Sequence, residues 1–100
     1  MVKRRVILSP RAKLDLSEIL EFYYQRNGSK TYSKKLNSAL RESISLLEKH
    51  SNIGVCTDIG DVRTLIEADY SIFYKIKSDT IEIITIWDNR QNPDELYFKD

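Results

Sequence analysis

The chain has 100 residues, of which 41% are hydrophobic and 31% charged, and a formal net charge of +1. That length supports one domain, spanning residues 1–100, whose modest core buries roughly 60–70% of the surface of the unfolded chain. The composition carries no signature of disorder, and no apolar run approaches the roughly 20 residues of a membrane span.

The basic start, MVKRRVILSP, has an apolar run of only Val6-Ile7-Leu8, too short for the core of a signal peptide. A cytoplasmic location is the default expectation. The single cysteine, Cys56, excludes an internal disulfide framework and is expected to be a small buried hydrophobe. Charge is unevenly spread: residues 1–50 carry eleven Lys and Arg against five acids, and residues 51–100 carry five against ten. This asymmetry suits either a basic face for acidic partners or helix surfaces that are simply solvated.

Residues 3–8 read as a short strand. Ser9-Pro10 then signals a helix start, since Ser caps free amides and Pro is preorganised for the first helical position. Ala12, Leu16, Ile19, Leu20 and Tyr23 form an apolar stripe at helical spacing, with Asp15, Glu18, Glu21 and Gln25 facing away. Gly28 is placed to end this helix in the left-handed conformation. Ser29 is expected to cap a second helix running to about His50, with Tyr32, Leu36, Leu40 and Leu47 on its buried stripe. A link this short predicts an antiparallel helical hairpin.

Residues 51–61 form a connection in which Val55–Thr57 has the composition to pair briefly. Three strands are predicted after it, over 62–67, 70–77 and 80–87, joined by turns at Ala68-Asp69 and Ser78-Asp79. In the middle one, Tyr70, Ile72, Tyr74 and Ile76 share one face, and Ser71, Phe73, Lys75 and Lys77 the other. The last carries apolar residues on both parities: Ile81, Ile83 and Trp87 on one, Ile84 and Ile86 on the other. That pattern predicts an interior strand. It leaves through the polar cluster Asp88-Asn89-Arg90-Gln91 and stops at Asn92-Pro93. The order β-α-α-β-β-β predicts an α+β fold, a helical hairpin packed on one face of a mainly antiparallel four-stranded sheet, with the other face partly open.

In this order and spacing, four stretches resemble the RelE/ParE superfamily of toxins from bacterial type II toxin–antitoxin systems, closer to ParE-like than to RelE-like members. They are Val6-Ile7-Leu8-Ser9-Pro10 with Ala12 and Asp15-Leu16; Leu46-Leu47 with Ile53-Gly54; Val62-Arg63-Thr64-Leu65 with Tyr70-Ser71-Ile72-Phe73-Tyr74; and Ile84 to Pro93. The resemblance covers about the full length. It implies a growth-inhibiting toxin of the plasmid-stabilisation type, silenced by a cognate antitoxin. ParE-like members resemble poisons of DNA gyrase; RelE-like members resemble ribosome-dependent ribonucleases that cut messenger RNA.

Metal-independent RNA cleavage needs a base, an acid and cations for the charged phosphorane. Arg63 and Arg90 are the candidate cations, because guanidinium donates two parallel hydrogen bonds to phosphate. Tyr97 is the tyrosine nearest the C-terminus. Where many RelE-like relatives carry a His after the last strand, this chain has Asp88, an acceptor that repels phosphate. Either arginine has a structural alternative: Arg63 beside Asp61, Glu67 or Asp88, and Arg90 beside Asp88 or Asp94. Phe73, Lys75, Lys77, Leu96 and Phe98 are the candidate target- or partner-binding residues. Trp87 and the Tyr70/Tyr74 pair fit a core better than a base-stacking platform.

Three functions follow: a binding toxin, a ribosome-dependent endoribonuclease, or an inactive relative that only binds antitoxin. No cofactor is implied, since there is neither a Gly-rich phosphate loop nor a His/Cys cluster at metal spacing. A partner segment is expected on a groove beside the helices or at a sheet edge.

Overall fold

The computed structural model describes residues 4–91 and Leu96. Strand β1 spans Arg5–Leu8 and helix α1 Pro10–Asn27. Helix α2 spans Thr31–Leu46. Strands β2 (Val55–Cys56), β3 (Val62–Glu67), β4 (Tyr70–Ile76) and β5 (Thr80–Asp88) follow.

The sheet has five strands in the order β1-β5-β4-β3-β2, which corrects the expected four. Val55 and Cys56 pair with Thr64 and Arg63 and add a short antiparallel edge. The sheet is also mixed, because β1 runs parallel to β5. The chain between them, the helical hairpin followed by β2 to β4, supplies the long connection that a parallel pair requires.

Helix α1 begins as its sequence dictates. Ser9 is extended, and its Oγ accepts from the Ala12 amide at 3.0 Å. Gly28 closes the helix at φ 68° and donates its amide to the Tyr24 carbonyl at 3.0 Å. Helix α2 departs from expectation at both ends. Lys30, not Ser29, stands at the cap position and makes no side-chain cap. The helix stops at Leu46, because the next amides bond three residues back and tighten the chain into turns. His50 therefore lies beyond the helix and is exposed. Ser33 Oγ donates to the Leu20 carbonyl at 2.8 Å and ties the two helices together.

The core lies between the hairpin and one face of the sheet. Leu16, Tyr23, Leu36, Leu40 and Leu47 meet Tyr70, Ile72, Tyr74, Ile81, Ile83 and Ile86. Strand β4 contributes by clean alternation. Strand β5 lies between β1 and β4, and its double apolar parity has a specific cause. Tyr74 pairs with Ile83 while Phe73 pairs with Thr85, so the register shifts and Ile84 is the extra residue of a bulge. The inward parity thus passes from Ile81 and Ile83 to Ile86. Trp87 lies opposite Ser71, on the face away from the helices, and is buried there.

That second face is less open than the alternation suggested. Ser71, Thr85, Trp87 and Val62 are buried, Thr64, Phe73 and Lys75 are half-buried, and Ile66 is exposed. Cys56 is exposed on the edge strand rather than buried.

Candidate functional site

Strand β1 covers β5 only as far as Ile83. Beyond it, the start of α1 crosses the uncovered edge and satisfies its backbone with side chains. Ser9 Oγ donates to the Ile84 carbonyl at 2.7 Å. The Asp15 carboxylate accepts from the Ile86 amide at 3.1 Å and from the Thr85 hydroxyl through the same oxygen. Its other oxygen accepts from Arg11 Nε at 3.0 Å. Only 12% of the Asp15 side chain is exposed, so this carboxylate is a joint between helix and sheet rather than a solvated charge.

A cleft of about 420 Å³ opens beside this joint, between α1 and the exit of β5. Arg11, Asp15, Glu18, Ile19 and Phe22 line it from the helix, and Tyr70, Ile86, Trp87, Asp88, Arg90 and Gln91 from the sheet and the turn after it. Arg90 forms the far wall. Its Nε and Nη2 donate to the two carboxylate oxygens of Asp88, both at 2.9 Å, and its own amide donates to Asp88 Oδ1 at 2.9 Å. This is a side-chain fork superposed on an Asx-type turn. Nη2 also donates to Tyr23 Oη at 2.9 Å, and Tyr70 Oη donates to Tyr23 Oη at 3.4 Å.

The electrostatics follow from these contacts. The Arg90 hydrogen bond holds the Asp88 carboxyl below the usual carboxylate range, although partial burial opposes it. Arg90 is correspondingly held more firmly in its cationic form, chiefly by Asp88 and then by Tyr23. Burial, followed by the Tyr23 hydrogen bond, raises the Tyr70 phenol well above its ordinary value.

Arg63 belongs to a second cluster. It faces Tyr74 across the β3–β4 pair, and its Nη1 donates to the Gly54 carbonyl at 2.9 Å. Tyr74 Oη accepts from the Gly54 amide at 2.9 Å and donates to the Ser51 carbonyl at 2.8 Å. Together these side chains clamp the connection between α2 and β2. Among the described residues, no group of three His, Cys, Asp or Glu is placed to hold a metal ion.

The sequence matches, over residues 6–93, the family model described as the ParE toxin of the type II toxin–antitoxin system, parDE. The chain belongs to the ParE toxin family. Its fold is similar to a solved structure described as a chromosomal ParDE toxin–antitoxin system from P. aeruginosa, with a TM-score of 0.73 and 22% identity over 84% of this chain and 94% of that one. No curated protein matches the chain in sequence.

Within this ParE scaffold the two candidate cations do not converge. Arg90 reaches Tyr70, whereas Arg63 opposes Tyr74, four residues further along the same strand, or roughly 13 Å. Both tyrosines lie on the face that the helices cover. The two candidate cations thus approach opposite ends of the helix-covered face and not the partly open face of the sheet. Lys75 and Lys77 do lie on the side away from the helices, and Lys77 is 3.4 Å from Glu82. Phe73, on that same side, faces Thr64 and Thr85 across its neighbouring strands. Leu96 is half-buried, and Tyr97 and Phe98 lie outside the described residues.

The sequence reading missed Asp15 and Tyr23 as parts of the site. Asp15 was assigned to the solvent side of α1 by helical spacing. The available signal was Thr85, a hydroxyl set between Ile84 and Ile86 that needs a partner if buried.

Proposed function

We propose that this chain acts as a single-domain toxin by gripping a cellular target, such as DNA gyrase, without chemistry of its own, and that a cognate antitoxin neutralises it in the cytoplasm. The observation that carries this reading is the separate engagement of Arg63 and Arg90. One guanidinium is committed to the Gly54 carbonyl and the other to the Asp88 carboxylate. A phosphorane would need both at one phosphate, and it would meet Asp88 and Asp15 at the Arg90 site, where like charge repels. Family membership supports an antitoxin partner. No helix among the described residues is long and apolar enough to cross a membrane.

The test compares wild type, Arg63→Ala and Arg90→Ala in two assays: gyrase supercoiling, and cleavage mapping on translated message. Inhibited supercoiling with uncut message supports the binding toxin. Site-specific cuts that either variant abolishes would assign a ribosome-dependent endoribonuclease instead. A chain inert in both assays, and harmless when expressed, would be a relative retained only to bind antitoxin.

A further inference from the structure

The cleft between α1 and the exit of β5 has an unbalanced charge and an apolar floor. Its two arginines are already occupied, Arg11 by Asp15 and Arg90 by Asp88. Glu18, on its rim, has no hydrogen-bond or ion-pair partner among the described residues. Ile19, Ile86 and Trp87 line the interior, and Phe22 stands at the mouth with 54% of its surface exposed. A large aromatic half in solvent beside an uncompensated carboxylate presents two features that one ligand can satisfy together: an apolar group and a cation.

The backbone at this place is already used. Ser9 and Asp15 take the Ile84 carbonyl and the Ile86 amide, so a partner cannot lengthen the sheet here by a hydrogen-bonded ladder. It must dock through side chains. Nucleic acid is the poorer match, because its phosphates would face Glu18, Asp15 and Asp88.

We propose that this cleft seats a segment of the antitoxin in which a Lys or Arg lies next to a large apolar residue. The cation pairs with Glu18, and the apolar side chain packs between Phe22 and Ile19. The proposal rests on the reading of the chain as an antitoxin-regulated toxin and adds where the antitoxin grips and by what chemistry. Arg26, eight residues beyond Glu18 on α1 and about 12 Å along the helix axis, shares an adjoining depression with Glu18 and Phe22 but lies outside the lining of this cleft.

The probe is the purified product of the adjacent small gene, titrated calorimetrically into the full-length chain. Glu18→Arg and Phe22→Ala change exposed side chains, and circular dichroism checks that each variant folds. Each is expected to weaken binding about tenfold, the scale of a hot-spot truncation. The Glu18→Arg loss should also shrink as salt rises, since a screened ion pair carries it. Lys49→Glu, outside the cleft, should bind like wild type. Wild-type binding that neither cleft variant alters overturns this inference and leaves the toxin–antitoxin reading standing. No binding to wild type overturns both. A mixed-sequence RNA that binds Glu18→Arg more tightly than wild type, with antitoxin binding unchanged, would assign the cleft to nucleic acid and overturn the proposal.

Discussion

Asp15, on the second turn of α1, accepts the backbone amide of Ile86 on β5 at 3.1 Å. The contact spans 71 positions of sequence and stands where a further residue of β1 would otherwise pair. The same carboxylate oxygen accepts from the buried Thr85 hydroxyl. Replacing Asp15 with Ala strands one amide and one hydroxyl in a dry place, and each costs about 1–3 kcal/mol when left unsatisfied. Asp15→Ala is expected to lower unfolding free energy by about 2–4 kcal/mol in urea titration, and Thr85→Val by about 1 kcal/mol. The double variant should lose less than the sum, because the two singles share an interaction. Strict additivity would show that Asp15 does not act through Thr85.

How far this architecture was legible in the sequence depends on the range of the interaction. Ser9-Pro10 and Gly28 mark the ends of α1 through local chemistry, and both act as their residue types dictate. Strand β4 alternates over seven residues without interruption, and its inward face was readable. Strand β5 was readable as an interior strand, but its two apolar parities do not simply mark its two faces. A bulge at Ile84 instead carries one inward row across a change of parity, and a register shift depends on the partner strand, which a single strand does not reveal. The two-residue β2 is too short for any periodicity. Arg63 and Arg90 were identified as residues of interest, yet their separation depends on which end of β4 each approaches, and spacing along the chain does not contain that. Asp15 was missed because helical spacing assigns a face, not the edge of a neighbouring strand.

Gly54 is required by crowding and not by its backbone angles. A Cβ there would overlap the Tyr74 hydroxyl and lie 2.8 Å from the Thr64 carbonyl oxygen. Backbone does not yield cheaply, and a shift of the Tyr74 ring would break its bonds to Ser51 and Gly54. Gly54→Ala is expected to cost about 2–4 kcal/mol, in the range of overpacking with a lost buried hydrogen bond. Gly28→Ala meets no atom and carries only the left-handed backbone cost, about 1–2 kcal/mol. Thermal melts of the two variants give the order directly; a milder effect at Gly54 would mean that the clamp is looser than its geometry.

The Asp88–Arg90 fork gives a pH dependence of known sign. Arg90 lowers the Asp88 carboxyl in the folded chain relative to the unfolded one. Stability from this group is therefore fully present above the unfolded value, about pH 4, and is lost as pH falls through the lower, folded value. Arg90→Gln should move the Asp88 titration upward toward the ordinary carboxylate range, as followed by carboxyl carbon NMR. An Asp88 midpoint unchanged in Arg90→Gln would mean that the fork does not hold the charge in solution.

Arg63 and Arg90 also differ in what their loss should do to the fold, and this separates scaffold from contact surface. Arg63→Ala frees the Gly54 carbonyl and loosens the clamp on the connection between α2 and β2. It is expected to lower stability by about 1–2 kcal/mol, the scale of a hydrogen bond from a charged donor. Growth inhibition should then fall only in proportion to the folded fraction and recover at lower temperature. Arg90→Ala opens the wall of the cleft and uncouples Tyr23 from the exit turn. It should weaken antitoxin binding, measured calorimetrically at a temperature where the variant is fully folded. If Arg63→Ala is folded and stable yet harmless to cells at every temperature, Arg63 touches the target itself, and the second cluster belongs to the surface by which the toxin acts.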